Sequence, residues 1–156
     1  MANKWVDCGG METRGAPRRL RGAATWLLGQ TTIHAHRLVS DALGAVDARR
    51  YHYSLMAALD EFGEASQADL GRRCGLDRSD VVATVNELAD KGFLERRPDP
   101  ADKRRNIVSI TPSGMAHLRH LDRVLGQAQD ALLAPLSVAE REELVRMLNA
   151  VLEHHG

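Results

Sequence analysis

Apolar positions along this chain change their spacing from helical to alternating and back to helical. From about Pro17 to Leu43, Trp26, Leu27, Ile33, Leu38, Val39 and Leu43 recur at helical intervals on more than one face. A helix apolar beyond a single stripe needs more than one packing partner. A second helix is expected from about Asp47 to Phe62, ending before Gly63. Two short helices follow, and then the period shortens after Gly92 into two β-prone runs, Phe93–Arg97 and Asn106–Ile110. Thr111-Pro112 opens a long helix with Pro at its first position. Its apolar stripe is Leu118, Leu121, Leu125, Ala128 and Leu132. Ser137 and Glu140 form a capping box for the last helix, whose stripe is Leu144, Leu148, Val151 and Leu152. The pattern predicts a mainly α chain with one small β-hairpin, an α+β fold.

The two short helices carry the most information. Ser66 precedes the first, with Asp69 three residues on, a capping box with Asp in place of Glu. Ala68, Leu70 and Cys74 supply its inward positions, and Gly75 follows its last turn, where a left-handed residue is favoured. Leu76 is the apolar plug of that turn. Asp77 opens the second helix, and Gly92 closes it. Helices joined by so short a glycine turn must cross steeply, as in a helix-turn-helix. Within the second helix, Val81, Val85 and Leu88 fall at i, i+4 and i+7 with Thr84 beside them, which predicts the buried stripe. The outward face is then Arg78, Ser79, Val82, Ala83 and Asn86. In a major groove, Arg78 could reach guanine O6/N7 or a phosphate, and Asn86 could pair with adenine. Val82 and Ala83 offer apolar contact only, for instance to a thymine methyl.

Between the β-prone runs lies Pro98-Asp99-Pro100-Ala101-Asp102-Lys103-Arg104-Arg105. Its prolines and aspartates specify a turn. Lys103, Arg104 and Arg105 place three cations at its tip, and a narrow minor groove attracts inserted Arg. One residue separates Asp102 from Arg104, which puts them on the same side of an extended segment. Asp102 is therefore expected to orient Arg104. The whole is a winged helix-turn-helix, and duplex DNA is the expected partner.

From about residue 20 to the C-terminus the chain resembles the MarR family of transcriptional regulators. The resemblance is carried by Asp102-x-Arg104 and by Ile110-Thr111-Pro112-x-Gly114. It implies that Ser66 and Gln67 touch phosphates, that the helix from Asp77 reads the major groove, and that Arg104 enters the minor groove. It also implies a homodimer built from the N- and C-terminal helices, on a pseudo-palindromic operator with half-sites about one helical turn apart. The expected divisions are a disordered tail at 1–15, an N-terminal dimerisation helix at 16–46, the winged helix-turn-helix at 47–111 and C-terminal dimerisation helices at 112–156. In one respect the chain departs from the family. Many members carry Arg or another polar residue where this one has Ala83. The wing arginines and DNA shape are accordingly expected to carry a larger share of the binding.

Composition narrows the function without choosing it. The 156 residues suit one ordinary domain, with no apolar run of transmembrane length and no signal-peptide core at the N-terminus. Two cysteines without a framework fit a reducing cytoplasm. Net charge is zero, and residues 66–111 hold nine Lys/Arg against eight Asp/Glu, a net of only +1. Such a protein must focus positive charge locally. A winged helix can also serve as an architectural or protein-interaction module, but such a module has no need of three cations at its hairpin tip. The sequence holds no Gly-rich phosphate loop, nucleophile elbow or paired carboxylates, so no enzyme is expected, and no cofactor.

The resemblance further implies a small anionic or phenolic effector, because family members often bind one between the dimer helices and the reading domain. The candidates here are His34, Arg49, Arg50, Tyr51 and His52, with Tyr53 at an aromatic core position of the family. Arg49 and Arg50 fall at a helix cap and first turn, where cations oppose the macrodipole. A metal is not expected: His34 and His36 point to different sides of a helix, and His117 and His120 lack further ligands. Cys74 takes a position usually held by leucine, that of a buried small hydrophobe. Cys8 lies beside Asp7, which would not lower its pKa.

Overall fold

The computed structural model describes residues 15–102 and 105–155. Most of the expected N-terminal tail lies outside them, as do Lys103 and Arg104. Two compact units divide between Arg37 and Leu38.

In the first unit the single helix expected from Pro17 to Leu43 is broken. A short α1 (Arg18–Arg21) ends at Gly22, whose N–H donates to Arg18 O at 3.1 Å. The chain restarts as α2 (Ala24–Gly44), whose last turns belong to the second unit. Glycine is the weakest helix former after proline, and a four-residue helix has too few bonds to carry the run past it. Leu27 and Leu28 are exposed on α2.

The second unit contains α3 (Arg50–Phe62), β1 (Ala65–Ser66), α4 (Gln67–Cys74), α5 (Arg78–Asp90), β2 (Leu94–Pro98), β3 (Asn106–Ile110), α6 (Pro112–Leu132) and α7 (Val138–His155). The expected hairpin is part of a three-stranded antiparallel sheet in the order β1-β3-β2. Leu94 pairs with Ile110 and Arg96 with Val108, while Ala65 pairs with Val108 on the other side. The two-residue β1 is too short to show an alternating pattern, and it ties the start of α4 to the wing.

One core joins these elements. Leu55, Met56 and Leu59 of α3 meet Leu70 of α4, Val81, Val85 and Leu88 of α5, Leu94 and Val108 of the sheet, and Leu118 and Leu121 of α6. Each large side chain fully removed from water contributes about 1.5–3 kcal/mol. Every apolar residue of the stripe read for α5 is in this core, and Thr84 beside them is buried too. Caps fix the ends of the helices. Ser66 Oγ accepts from Asp69 N–H, Asp77 accepts from Asp80 N–H, and Thr111 Oγ1 accepts from Gly114 N–H. Gly75 is left-handed at φ 63°, as its place after α4 requires.

At the foot of the wing, α6 packs unusually close. A Cβ on Gly114 would lie 2.1 Å from Phe93 O and 2.8 Å from Ile110 Cγ1. Thr111 N–H donates to the same carbonyl at 3.0 Å. Thr111 Oγ1–H adds a bond to Gly92 O at 2.7 Å. His117 then stacks on the Phe93 ring, with centroids 4.2 Å apart. By contrast, α7 buries no side chain. Leu144 and Leu148 of its expected stripe are half-buried, while Val151 and Leu152 are 50% and 69% exposed.

The contact at Gly114 sets a stability test with a built-in control. Gly114→Ala should lower unfolding stability by about 1–3 kcal/mol, the usual cost of overpacking. Gly126→Ala lies in the same helix with open space at its Cβ position. It should raise stability by about 0.5–1 kcal/mol. Urea denaturation of both variants checks the pair.

Candidate nucleic-acid interface

Burial of one side of α5 decides what its other side can do. With Val81, Thr84, Val85 and Leu88 inside, Arg78, Ser79, Val82, Ala83 and Asn86 are all exposed, as the spacing predicts. Asp77 caps the helix and also accepts from Ser79 Oγ–H at 2.7 Å. The Ser79 hydroxyl therefore turns its lone pairs outward. Asn86 does not stand alone: its Oδ1 accepts from Arg96 Nη1–H at 2.7 Å. Arg96 belongs to β2, so this bond ties the reading helix to the wing.

The first turns of α4 and α5 and the start of β3 enclose a cleft of about 590 Å³. Ser66, Gln67, Arg78 and Arg105 all line it, which brings together four of the residues expected to meet DNA. Ser66 is buried, and its hydroxyl is fully engaged. It donates to Asp69 Oδ2 at 2.6 Å and accepts from Asp69 N–H at 3.2 Å and from Arg105 Nη2–H at 3.4 Å. One O–H and two lone pairs exhaust a hydroxyl's capacity. Gln67 is half-buried and Arg105 exposed. The hydroxyl of Ser66, with Arg72 also paired to its carboxylate, holds Asp69 below the usual carboxylate range.

The wing tip is closed by its own backbone. Asp99 N–H donates to Arg105 O, and Arg105 N–H donates to Asp102 O, both at 2.9 Å. The expected pairing of Asp102 with Arg104, and the places of Lys103 and Arg104, lie outside the described residues.

The effector candidates separate. Arg49 and His52 line a second cleft of about 570 Å³ with Asp47, Glu87 and Lys91. Arg50 and Tyr51 are not among its lining residues; the Arg50 guanidinium lies 5.7 Å from the Tyr51 ring centre. His34 is exposed on α2, within the first unit. Tyr53 is half-buried, and its hydroxyl donates to Asp122 at 2.9 Å. Cys74 is half-buried, its thiol donates to Ser54 O at 3.4 Å, and burial pushes its pKa up.

The network in the second cleft spans distant sequence. Arg49 caps α3, and its N–H donates to His52 Nδ1 at 3.2 Å. With Nδ1 accepting, Nε2 carries the proton and donates to Glu87 at 2.8 Å. Arg49 pairs with the same carboxylate. Asp47 sits at φ 52°, rare outside glycine, and Lys91 Nζ grips its carbonyl at 3.0 Å and its carboxylate at 2.6 Å. Two links thus join the last turns of α5 to the corner before α3. Neither was expected, because α5 and this corner lie far apart in the chain.

A family model described as the MarR family matches residues 47–105, the corner through the wing. A transcriptional regulator of Bacillus subtilis, YcgE, itself uncharacterised, is 30% identical over 76% of this chain and 77% of its own. The chain belongs to the MarR family. It is a winged-helix transcriptional regulator, not an enzyme. The transcriptional repressor NicR of Pseudomonas putida is 28% identical over 63% of this chain and 62% of its own. Against three such curated relatives, this MarR-family chain spans 58% to 77% of their length. The Streptomyces coelicolor regulator PcaV, solved with its natural ligand, is 26% identical. It superposes with a TM-score of 0.71 over 90% of this chain and 99% of that one.

Burial, with help from the Arg49 and Lys91 cations, lowers the pKa of His52 to about 4. The Asp47 carboxylate opposes that shift but does not offset it. The unfolded chain takes up this proton near pH 6.5, before the folded one does. Stability is therefore complete above about pH 6.5 and falls as the pH drops toward 4. The loss should reach about 1–3 kcal/mol, and His52→Gln should flatten it. Chemical denaturation at pH 7.5, 6 and 4.5 measures both.

Proposed function

We propose that the protein is a homodimeric repressor that binds a pseudo-palindromic duplex operator and is released by a small anionic or phenolic effector. The observation that carries the DNA reading is the exposed face of α5, held out by its buried stripe and flanked by the basic cleft and the wing. α5 enters the major groove with its N-terminal end leading. Arg78 and Ser79 supply polar contacts, Val82 and Ala83 apolar ones. Because the Ser66 hydroxyl is fully engaged, the phosphate contact expected there passes to Gln67 and Arg105 beside it. Two of the five residues on the outward face of α5 are short and apolar, so we assign the larger part of the binding strength to Lys103, Arg104 and Arg105, with Asp102 orienting Arg104.

The dimer rests on a separate observation. Val138, Val145, Met147, Val151 and Leu152 of α7 are all exposed, and α7 buries nothing. Covering these exposed apolar side chains is what a second copy would do. The effector reading is supported by the cleft at Arg49 and His52. An anion there would compete with Glu87 for both groups, and Glu87 belongs to the reading helix. For release, the effector must favour the arrangement that does not bind DNA.

Two measurements test these assignments. In gel-shift titrations with the DNA flanking its own gene, binding should survive random competitor and weaken steeply with salt, through phosphate contacts. Arg104→Ala should weaken it more than Arg78→Ala does, by about tenfold or more, since a single contact carries about 1–3 kcal/mol. Equal competition by random duplex would reduce the protein to an architectural module. Leu152→Asp with Val151→Asp should shift the sedimentation coefficient from dimer to monomer; an unchanged value would place the dimer elsewhere.

A further inference from the structure

Asn86 carries two opposite hydrogen-bonding ends, and only one of them is free to choose a base. Its carboxamide has an acceptor oxygen and two N–H donors, whereas a guanidinium is donor only. The atom 2.7 Å from Arg96 Nη1 must therefore be the oxygen, Oδ1. Nothing about this assignment is interchangeable, because an Asn nitrogen facing Arg96 would set donor against donor. Nδ2, with its two donors, is the other end of the amide, and Asn86 is exposed on α5.

Arg96 is held where it can do this. In β2 it alternates with Leu94, which is buried, and it pairs with the buried Val108 of β3. Strand alternation puts Arg96 and Leu94 on one face. The backbone of Arg96 is thus fixed by the sheet, and its side chain extends from the core-facing side to Asn86. The charged partner also draws electron density from the amide oxygen. That strengthens the amide N–H groups as donors and weakens the oxygen as an acceptor.

Resting on the proposed DNA reading, we propose that Arg96 is a positioning residue that sets the base preference of Asn86. Held this way, Asn86 presents donors and favours an acceptor-only edge, guanine O6 and N7. Pairing with adenine would need the oxygen to accept from the adenine N6 amino group while the nitrogen donates to N7. Arg96 takes one of that oxygen's two lone pairs and holds the amide with its oxygen toward the wing, so the adenine pairing expected from the residue type alone is disfavoured. Arg96 reads no base itself. It selects between two readings that one Asn can make.

Selection of bound sequences from a randomised duplex pool, with full-length wild type, Arg96→Ala, Arg96→Lys, Asn86→Ala and the Arg96→Ala/Asn86→Ala double variant, tests this. Wild type should enrich guanine at one position in each half-site, about tenfold over adenine. Asn86→Ala should lose that preference and identify the position. Arg96→Ala should shift it toward adenine, Arg96→Lys should keep guanine, and the double variant should match Asn86→Ala alone. Replacing the selected guanine with 7-deazaguanine should weaken wild type and leave Asn86→Ala unaffected. A purely structural Arg96 would lower affinity for every sequence alike and leave the preference unchanged, and that result overturns the proposal. So does wild-type enrichment of adenine at the Asn86 position. A wild type that enriches no sequence at all removes the DNA reading itself, and this proposal with it.

Discussion

Everything on the outside of the reading helix depends on what is hidden behind it. Val81, Thr84, Val85 and Leu88 are buried where α5 packs on α3, α4 and the sheet. A helix carries its faces as one body, so rotating α5 by a single residue would drive Val82 or Ala83 into the core and lift a valine out. That rotation would also carry Arg78, Ser79 and Asn86 off the groove-facing side. The apolar packing is therefore as much a condition of recognition as the polar groups. The Asp77 cap and the Gly75 turn add to it by fixing where the helix starts.

Polar cross-links then join α5 to its surroundings at several levels. Asn86 bonds to the wing through Arg96, Glu87 takes up Arg49 and His52, and Lys91 grips Asp47. The exposed pairs add little stability on their own, because water screens them. Their effect is on geometry. Asn86 and Glu87 are neighbours in sequence but face different partners, one at the DNA side and one at the corner before α3. The proposed reading helix is thus also tied to the corner where the effector is proposed to bind.

The local signals were the legible ones. Caps at Ser66, Asp77, Thr111 and Ser137, the glycine turn and the split of α5 into two faces could all be read from spacing, because each depends on residues within one or two turns. Contacts between distant segments were not. Glu87 and His52 are 35 residues apart, and no periodicity relates them. β1 is two residues long, below the reach of an alternating pattern. The break at Gly22 was missed because apolar spacing on both sides of it suits one helix. Arg96 had a signal in its spacing: it shares a strand face with the buried Leu94, the side of the sheet from which its exposed side chain reaches Asn86 of α5. At Ser66 the resemblance implied a phosphate contact; its hydroxyl is engaged by the cap it forms, by the Asp69 carboxylate and by Arg105.

The crowding at Gly114 has a mechanical side. Phe93 N–H bonds to Leu88 O, Thr111 bonds to Gly92 and Phe93, and α6 leans on Phe93 with no room for a methyl group. The end of α5, the foot of the wing and the start of α6 are thereby knotted into one joint. Arg78 stands at the far end of α5, about 20 Å away at 1.5 Å per residue. A tilt of about 10° at such a joint carries that end through about 3–4 Å, more than a hydrogen bond's length. The joint is the pivot, and Arg78 is at the end of the long arm.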